Sequence, residues 1–146
     1  MIWILIAVLG FLAVVQGGMN RMIGKDWGLP GAVFLNAIMF LTASAAFYIW
    51  VLRAPQAPPL FQSHQPFQNF KFWYFLSGIF GFVFVLGVPI AIAKVGATLT
   101  FVGLVVAQIA AGATWDYFIE GRFVTTQKAL GISIALLGVW MATREQ

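Results

Sequence analysis

The sequence is poor in charge and contains no cysteine. Charged residues make up 8% of its 146 residues, whereas 62% are hydrophobic. A soluble domain of this length needs more polar residues to cover its surface, so the composition indicates an integral membrane protein. Without cysteine, the chain has no disulfide, no thiolate metal site and no thiol for lipidation.

Residues for catalysis and metal binding are equally scarce. His64 is the only histidine, and in its proline-rich segment a solvated side chain is expected rather than a metal ligand. No pairing of a nucleophile with a base is recognisable, so we expect no enzyme, no cofactor and no metal site. The eight lysines and arginines are scattered. They predict contacts with lipid headgroups rather than with nucleic acid.

Long apolar runs predict five transmembrane helices, because about 20 apolar residues cross the hydrocarbon core. The predicted spans are residues 2–20, 31–52, 72–93, 97–115 and 128–143. Polar loops are expected between the first three spans, and the longer of them is the proline-rich segment 53–71. Lys94 at mid-membrane would cost about 2.5–3.5 kcal/mol. It therefore marks an interface, where Gly96 permits a tight turn. The expected fold is an all-α membrane domain.

The basic residues give no preferred orientation in the membrane. With five spans, the eight of them divide equally between the two sides. One side has Arg53, Lys71, Arg122 and Lys128, and the other has Arg21, Lys25, Lys94 and Arg144. Because the difference between the sides sets orientation, we expect dual topology, or pairing with an oppositely oriented homologous chain. The alternative is a single orientation that other features fix.

Amide side chains interrupt the apolar runs. Gln16 and Asn20 lie one helical turn apart, and two further amides lie in the second and fourth spans. Each alone is consistent with a hydrogen bond between helices, which contributes about 0.6–2 kcal/mol. Together, on three helices, they favour a polar cavity. No carboxylate lies deep in a span, where a proton-driven cation pump usually needs one. The candidate substrate-binding residues are Gln16, Asn20, Asn36, Gln108, Trp115 and Asp116.

Small residues also recur at helical spacing in the fifth span. They are Gly131, Ala135, Gly138 and Ala142. Such a stripe lets two helix backbones approach closely in lipid, where van der Waals packing drives association. It predicts a helix contact and indicates no substrate.

Three stretches of the chain resemble the YdcZ-type family of the drug/metabolite transporter superfamily. The stretch QGGMNRMIGKDWGLPGAVFLN resembles its first-helix amide pair, basic turn and start of the second helix. Its third and fourth helices are similar to FWYFLSGIFGFVFVLGVPIAIAKVGATLTFVGLVVAQ, and its closing segment to WDYFIEG followed by KALGISIALLGVW. The chain departs from the family pattern at Ala107 and Tyr117, where glycine and histidine are expected.

The resemblance implies a five-helix half-transporter in the bacterial inner membrane, which pairs with itself or with a sister chain. It implies site roles for Gln16, Asn20, Gln108 and Asp116. The resulting hypothesis is an exporter of a small metabolite or drug-like compound that works by alternating access. The alternatives are a passive channel of dual topology and a non-transporting subunit for assembly or lipid handling, for which the stripes of small residues would suffice.

Overall fold

The computed structural model describes residues 2–54, 58–61, 70–123 and 125–143. Within these ranges the chain is helical and forms no strand, which confirms the all-α prediction. The helices are α1 (Ile2–Arg53), α2 (Phe75–Phe118) and α3 (Thr126–Thr143), with 3₁₀ turns at Pro59–Phe61 and Phe72–Tyr74. Most of the proline-rich segment, with His64, lies outside the described residues, as does Arg144.

Helix α1 is broken at Gly28 into two helical segments, residues 2–27 and 29–53. The dihedral angles of Gly28 are φ 78° and ψ 154°, a combination that is essentially restricted to glycine. Pro30 lies in the first turn of the second segment. Proline is tolerated there because the backbone N–H groups of a first turn have no acceptor within the helix, so the absence of one costs nothing. The local sequence Gly-Leu-Pro therefore ends one helical segment and starts the next.

The polar stretch 21–30, which was expected as a loop between two spans, is mostly helical. The first helical segment continues through Arg21 and Lys25 to Trp27, and only Gly28 leaves the helical conformation. Arginine, lysine and methionine are good helix formers, so charge alone does not end a helix here. The break requires a residue that accepts positive φ, and Gly28 provides it.

Helix α2 is broken at Gly96, where the sequence predicts a tight turn. Gly96 has φ 80° and ψ 166°, while the residues on either side are helical. The hydroxyl of Thr100 donates a hydrogen bond to the Gly96 carbonyl oxygen at 2.7 Å. This bond stabilises the first helical turn after the break.

The chain divides into two compact units. Unit 1 comprises Met1–Ile90 and unit 2 comprises Ala91–Gln146. In unit 1 the buried side chains include Asn20, Ala32 and Val88, whereas most large apolar side chains of its helices are exposed. Exposure of this kind suits a chain whose surroundings are lipid rather than water.

Two helical stretches are long and apolar enough to cross a membrane. They are Ile2–Arg53 and Phe72–Phe118, and Ala129–Met141 is a shorter apolar helix. These lengths support a membrane protein, and the number of crossings stays a prediction.

Several hydroxyl side chains in the helices bond to a backbone carbonyl of their own helix. Thr42 donates to the Ile38 carbonyl at 2.8 Å, and Ser44 donates to the Phe40 carbonyl at 2.7 Å. Thr114 and Ser133 bond in the same way to the carbonyls four residues earlier. These hydroxyls are satisfied locally and link no helices to one another.

Replacing Gly96 with alanine should destabilise the fold by about 1–3 kcal/mol, the usual cost of a non-glycine residue in this conformation. A Cβ at Gly96 would meet no atom within 4 Å, so the cost comes from the dihedral angles alone. Gly103 is the matched control because it also has open space but lies within helical backbone. There, alanine should be neutral or stabilising by up to about 1 kcal/mol. Thermal unfolding of the two variants in detergent tests this, and equal midpoints would contradict the turn at Gly96.

Candidate functional site

Asn20 and Asn36 join the two helical segments of α1. The Asn36 side-chain nitrogen Nδ2 donates a hydrogen bond to Asn20 Oδ1 at 3.3 Å, across 16 residues of sequence. Asn20 is 5% exposed. Because a buried amide needs a partner, this bond holds the second segment against the first at this point.

A small cleft lies beside Asn20, entirely within unit 1. Residues 2–27 contribute Gln16, Gly17 and Asn20 to its lining, and helix α2 contributes apolar residues. These are Phe84, Val85 and Val88. One wall therefore carries amides and the other is apolar, an arrangement that suits a ligand with a polar group and an apolar body.

The cleft is too small to hold a metabolite by itself. Its empty space is about 170 Å³, including space open to the surroundings. Small-molecule sites usually have about 300–1,000 Å³. The cleft alone therefore cannot enclose a metabolite.

Gln16 has its amide available for a ligand. Its side chain is exposed and makes no hydrogen bond within the part of the chain that the structure describes. Gly17 next to it is buried and has no side chain, so the cleft reaches the helix backbone at that point. Gln16 thus differs from Asn20, whose Oδ1 is already engaged.

The other three predicted site residues belong to unit 2. Gln108, Trp115 and Asp116 lie in the segment 97–118 of α2, and the first two are exposed. Asp116 is partly buried, and its carbonyl oxygen accepts a hydrogen bond from the Arg122 backbone N–H at 2.8 Å. The structure places Gln16 and Asn20 at one cleft and bonds Asn36 to Asn20, and the substrate-binding roles of all six residues stay predictions.

Sequence reasoning did not select the apolar wall of the cleft. Phe84, Val85 and Val88 share one helix face, but every neighbour on their helix is also apolar, so no pattern marks that face. Among the described residues, no group of histidine, aspartate or glutamate residues is large enough to hold a metal ion.

Replacing Asn36 with leucine should destabilise unit 1 by about 0.6–2 kcal/mol, because buried Asn20 Oδ1 loses its donor. The control is Thr42→Val, whose lost hydroxyl bonds only to its own helix, and it should change the unfolding midpoint little. Thermal unfolding in detergent tests both variants. If Thr42→Val were as destabilised as Asn36→Leu, the hydrogen bond between Asn36 and Asn20 would stabilise the fold no more than a bond within one helix.

A comparison with protein families agrees with the sequence pattern. A family profile described as "Putative inner membrane exporter, YdcZ" matches residues 1–141. No curated protein and no solved structure shows significant similarity to the chain. The match covers nearly the whole length and confirms the resemblance that the ordered sequence motifs indicated. The chain belongs to the YdcZ family.

Proposed function

We propose that the protein is a secondary exporter of a small metabolite or drug-like compound in the bacterial inner membrane, and that it works as a dimer by alternating access. Family membership supports export across the inner membrane. The observation that carries the rest is the amide-lined cleft in unit 1, because transporter sites combine a few fixed polar groups with apolar walls.

The helix breaks support five membrane crossings. Helix α1 has 52 residues, which would extend to about 78 Å if straight. The hydrocarbon core is only about 30 Å thick. Division at Gly28 and Gly96 gives four segments of crossing length, and α3, with 18 residues, makes the fifth.

A second copy of the chain, or a homologous sister chain, completes the site in this proposal. The small volume of the cleft supports this, because further walls are needed to enclose a metabolite. The equal division of basic residues supports an antiparallel arrangement, in which an inverted partner supplies the second repeat of a transporter. Such a partner would place its Asp116 at about the depth of Asn20, with both Gln108 side chains near the membrane midplane.

Helix α3 has the features of a contact between copies. A Cβ at Gly131 or Gly138 would meet no atom within 4 Å in the protomer. Glycines at this spacing let another helix approach closely in lipid. The stripe of small residues on α3 therefore supports its association with a second copy.

The chemistry proposed for the site is reversible binding without bond formation. Gln16 and Asn20 offer hydrogen bonds to a polar group of the substrate, and Phe84 and Val88 contact its apolar part. The site opens first to one side of the membrane and then to the other, and the bound substrate crosses with this change. Counterflow in liposomes separates this carrier from a passive channel, because only a carrier exchanges labelled substrate. A thermal-shift screen against a metabolite library identifies the substrate, since bound ligand stabilises the protein.

Replacing Gln16 with leucine, which has similar size but no hydrogen-bonding group, should lower transport about tenfold or more while the dimer persists. The same loss is expected for Gln108→Leu. Gln127→Leu is the control, because this exposed amide lies at the start of α3, outside the cleft. Counterflow rates and size-exclusion chromatography measure the two effects. If both site variants transport normally, the amides serve packing and not substrate binding. The same conclusion holds if either site variant weakens the dimer.

A further inference from the structure

Arg21 differs from the other basic residues whose side chains the structure describes. Its side chain is partly buried, whereas the others are exposed. Those others are Lys25, Arg53, Lys71, Lys94 and Arg122. Exposed basic side chains at helix ends reach toward lipid headgroups or water. The Arg21 guanidinium does not follow that pattern.

One nitrogen of the Arg21 guanidinium is buried without a partner. Nη1 is shielded from the surroundings and has no hydrogen-bond acceptor within the described part of the chain. A guanidinium stays charged in proteins and carries only donors. A buried, charged donor without an acceptor is costly, so an acceptor from outside the protomer is expected.

Arg21 lies directly beside the cleft in sequence and on the helix. It follows Asn20 and lies one helical turn beyond Gly17, and both of these residues line the cleft. Asn20 Oδ1 accepts from Asn36, so the NH₂ group of Asn20 remains a donor. Asp26, on the same helical segment, is exposed. Arg21 is not itself a lining residue, but Asn20 and Arg21 each lie one helical turn beyond a residue that lines the cleft, Gln16 and Gly17.

We propose that Arg21 and Asn20 form a binding position for an anionic oxygen group, a carboxylate or phosphate. The planar guanidinium matches such groups with two parallel N–H···O bonds. The inference rests on the proposed function and narrows it, because the exported molecule is then an organic anion. Its apolar part contacts Phe84, Val85 and Val88, and its charged end lies at Arg21.

Hexanoate and hexanamide are matched probes, since they share an apolar chain and differ in charge. Each is titrated at constant ionic strength against the full-length protein in phosphatidylcholine nanodiscs, with intrinsic tryptophan fluorescence and thermal unfolding as readouts. Hexanoate should bind about tenfold more tightly than hexanamide. Equal affinity of the two probes for the unchanged protein would overturn the proposal.

The matched variants are Arg21→Gln and Lys25→Gln, which remove the same charge one turn apart. Arg21→Gln should abolish the preference for hexanoate, and Lys25→Gln, an exposed position, should keep it. Equal losses in the two would assign the preference to overall charge and overturn the proposal. If Arg21→Gln fails to fold, Arg21→Lys serves instead. It keeps the charge but loses the bidentate geometry, so it should retain only part of the preference, and an unchanged preference would overturn the proposal.

Two further arms identify the source of the anion. Nanodiscs that contain phosphatidylglycerol test whether a lipid headgroup is a source of the anion. The headgroup should weaken hexanoate binding to the unchanged protein and should have no such effect on Arg21→Gln.

The dimer itself is the other arm. If Arg21→Gln dissociates the dimer and leaves the preference for hexanoate unchanged, the acceptor is a carboxylate of the second copy and the proposal is overturned. Counterflow of a neutral or cationic substrate that is unaffected by Arg21→Gln would leave the exporter intact while removing the anion position.

Discussion

A polar group enclosed by lipid and apolar side chains must find its hydrogen-bond partner within the protein, and the structure follows from this requirement. Threonine and serine hydroxyls meet it locally by bonding to their own helix. Asn36 and Asn20 meet it across two helical segments. Gln16 and Arg21 Nη1 do not meet it within the described residues. Gln16 lines the cleft, and Arg21 directly follows the cleft residue Asn20, so two polar groups without a partner in the described part of the chain lie on this part of the first helical segment.

Two glycines determine how the apolar helices are divided. Gly28 and Gly96 both have φ near 80° with extended ψ, a conformation that other residues rarely adopt. The break at Gly28 allows residues 29–53 to pack back so that Asn36 reaches Asn20. In this way one backbone position in unit 1 creates both a helix pair and the amide contact beside the cleft. Gly96 has the equivalent local role in unit 2, where Thr100 bonds to its carbonyl oxygen.

Part of this organisation could be predicted from the sequence. Lys94 is costly in hydrocarbon and Gly96 permits a tight turn, so the two residues together predict the break in α2. The amides stand out because so few polar residues lie in the apolar runs, and the order of the motifs indicated the family that the comparison confirms. The helix end at Trp27 could not be placed, since charged residues continue a helix as readily as they end it. The face with Phe84, Val85 and Val88 could not be assigned, because the helix around these residues is apolar on every side. Arg21 was expected at headgroups, and only its burial in the fold distinguishes it from Lys25.

In the proposed transporter, one chain supplies half of the transport site. Mixing unchanged chains with Gln16→Leu chains before reconstitution, and measuring counterflow at each ratio, tests it most directly. If two copies build the site, mixed dimers are inactive and the rate falls as the square of the fraction of unchanged chains. A rate that falls in direct proportion to that fraction would show that each chain transports alone, and it would contradict the account.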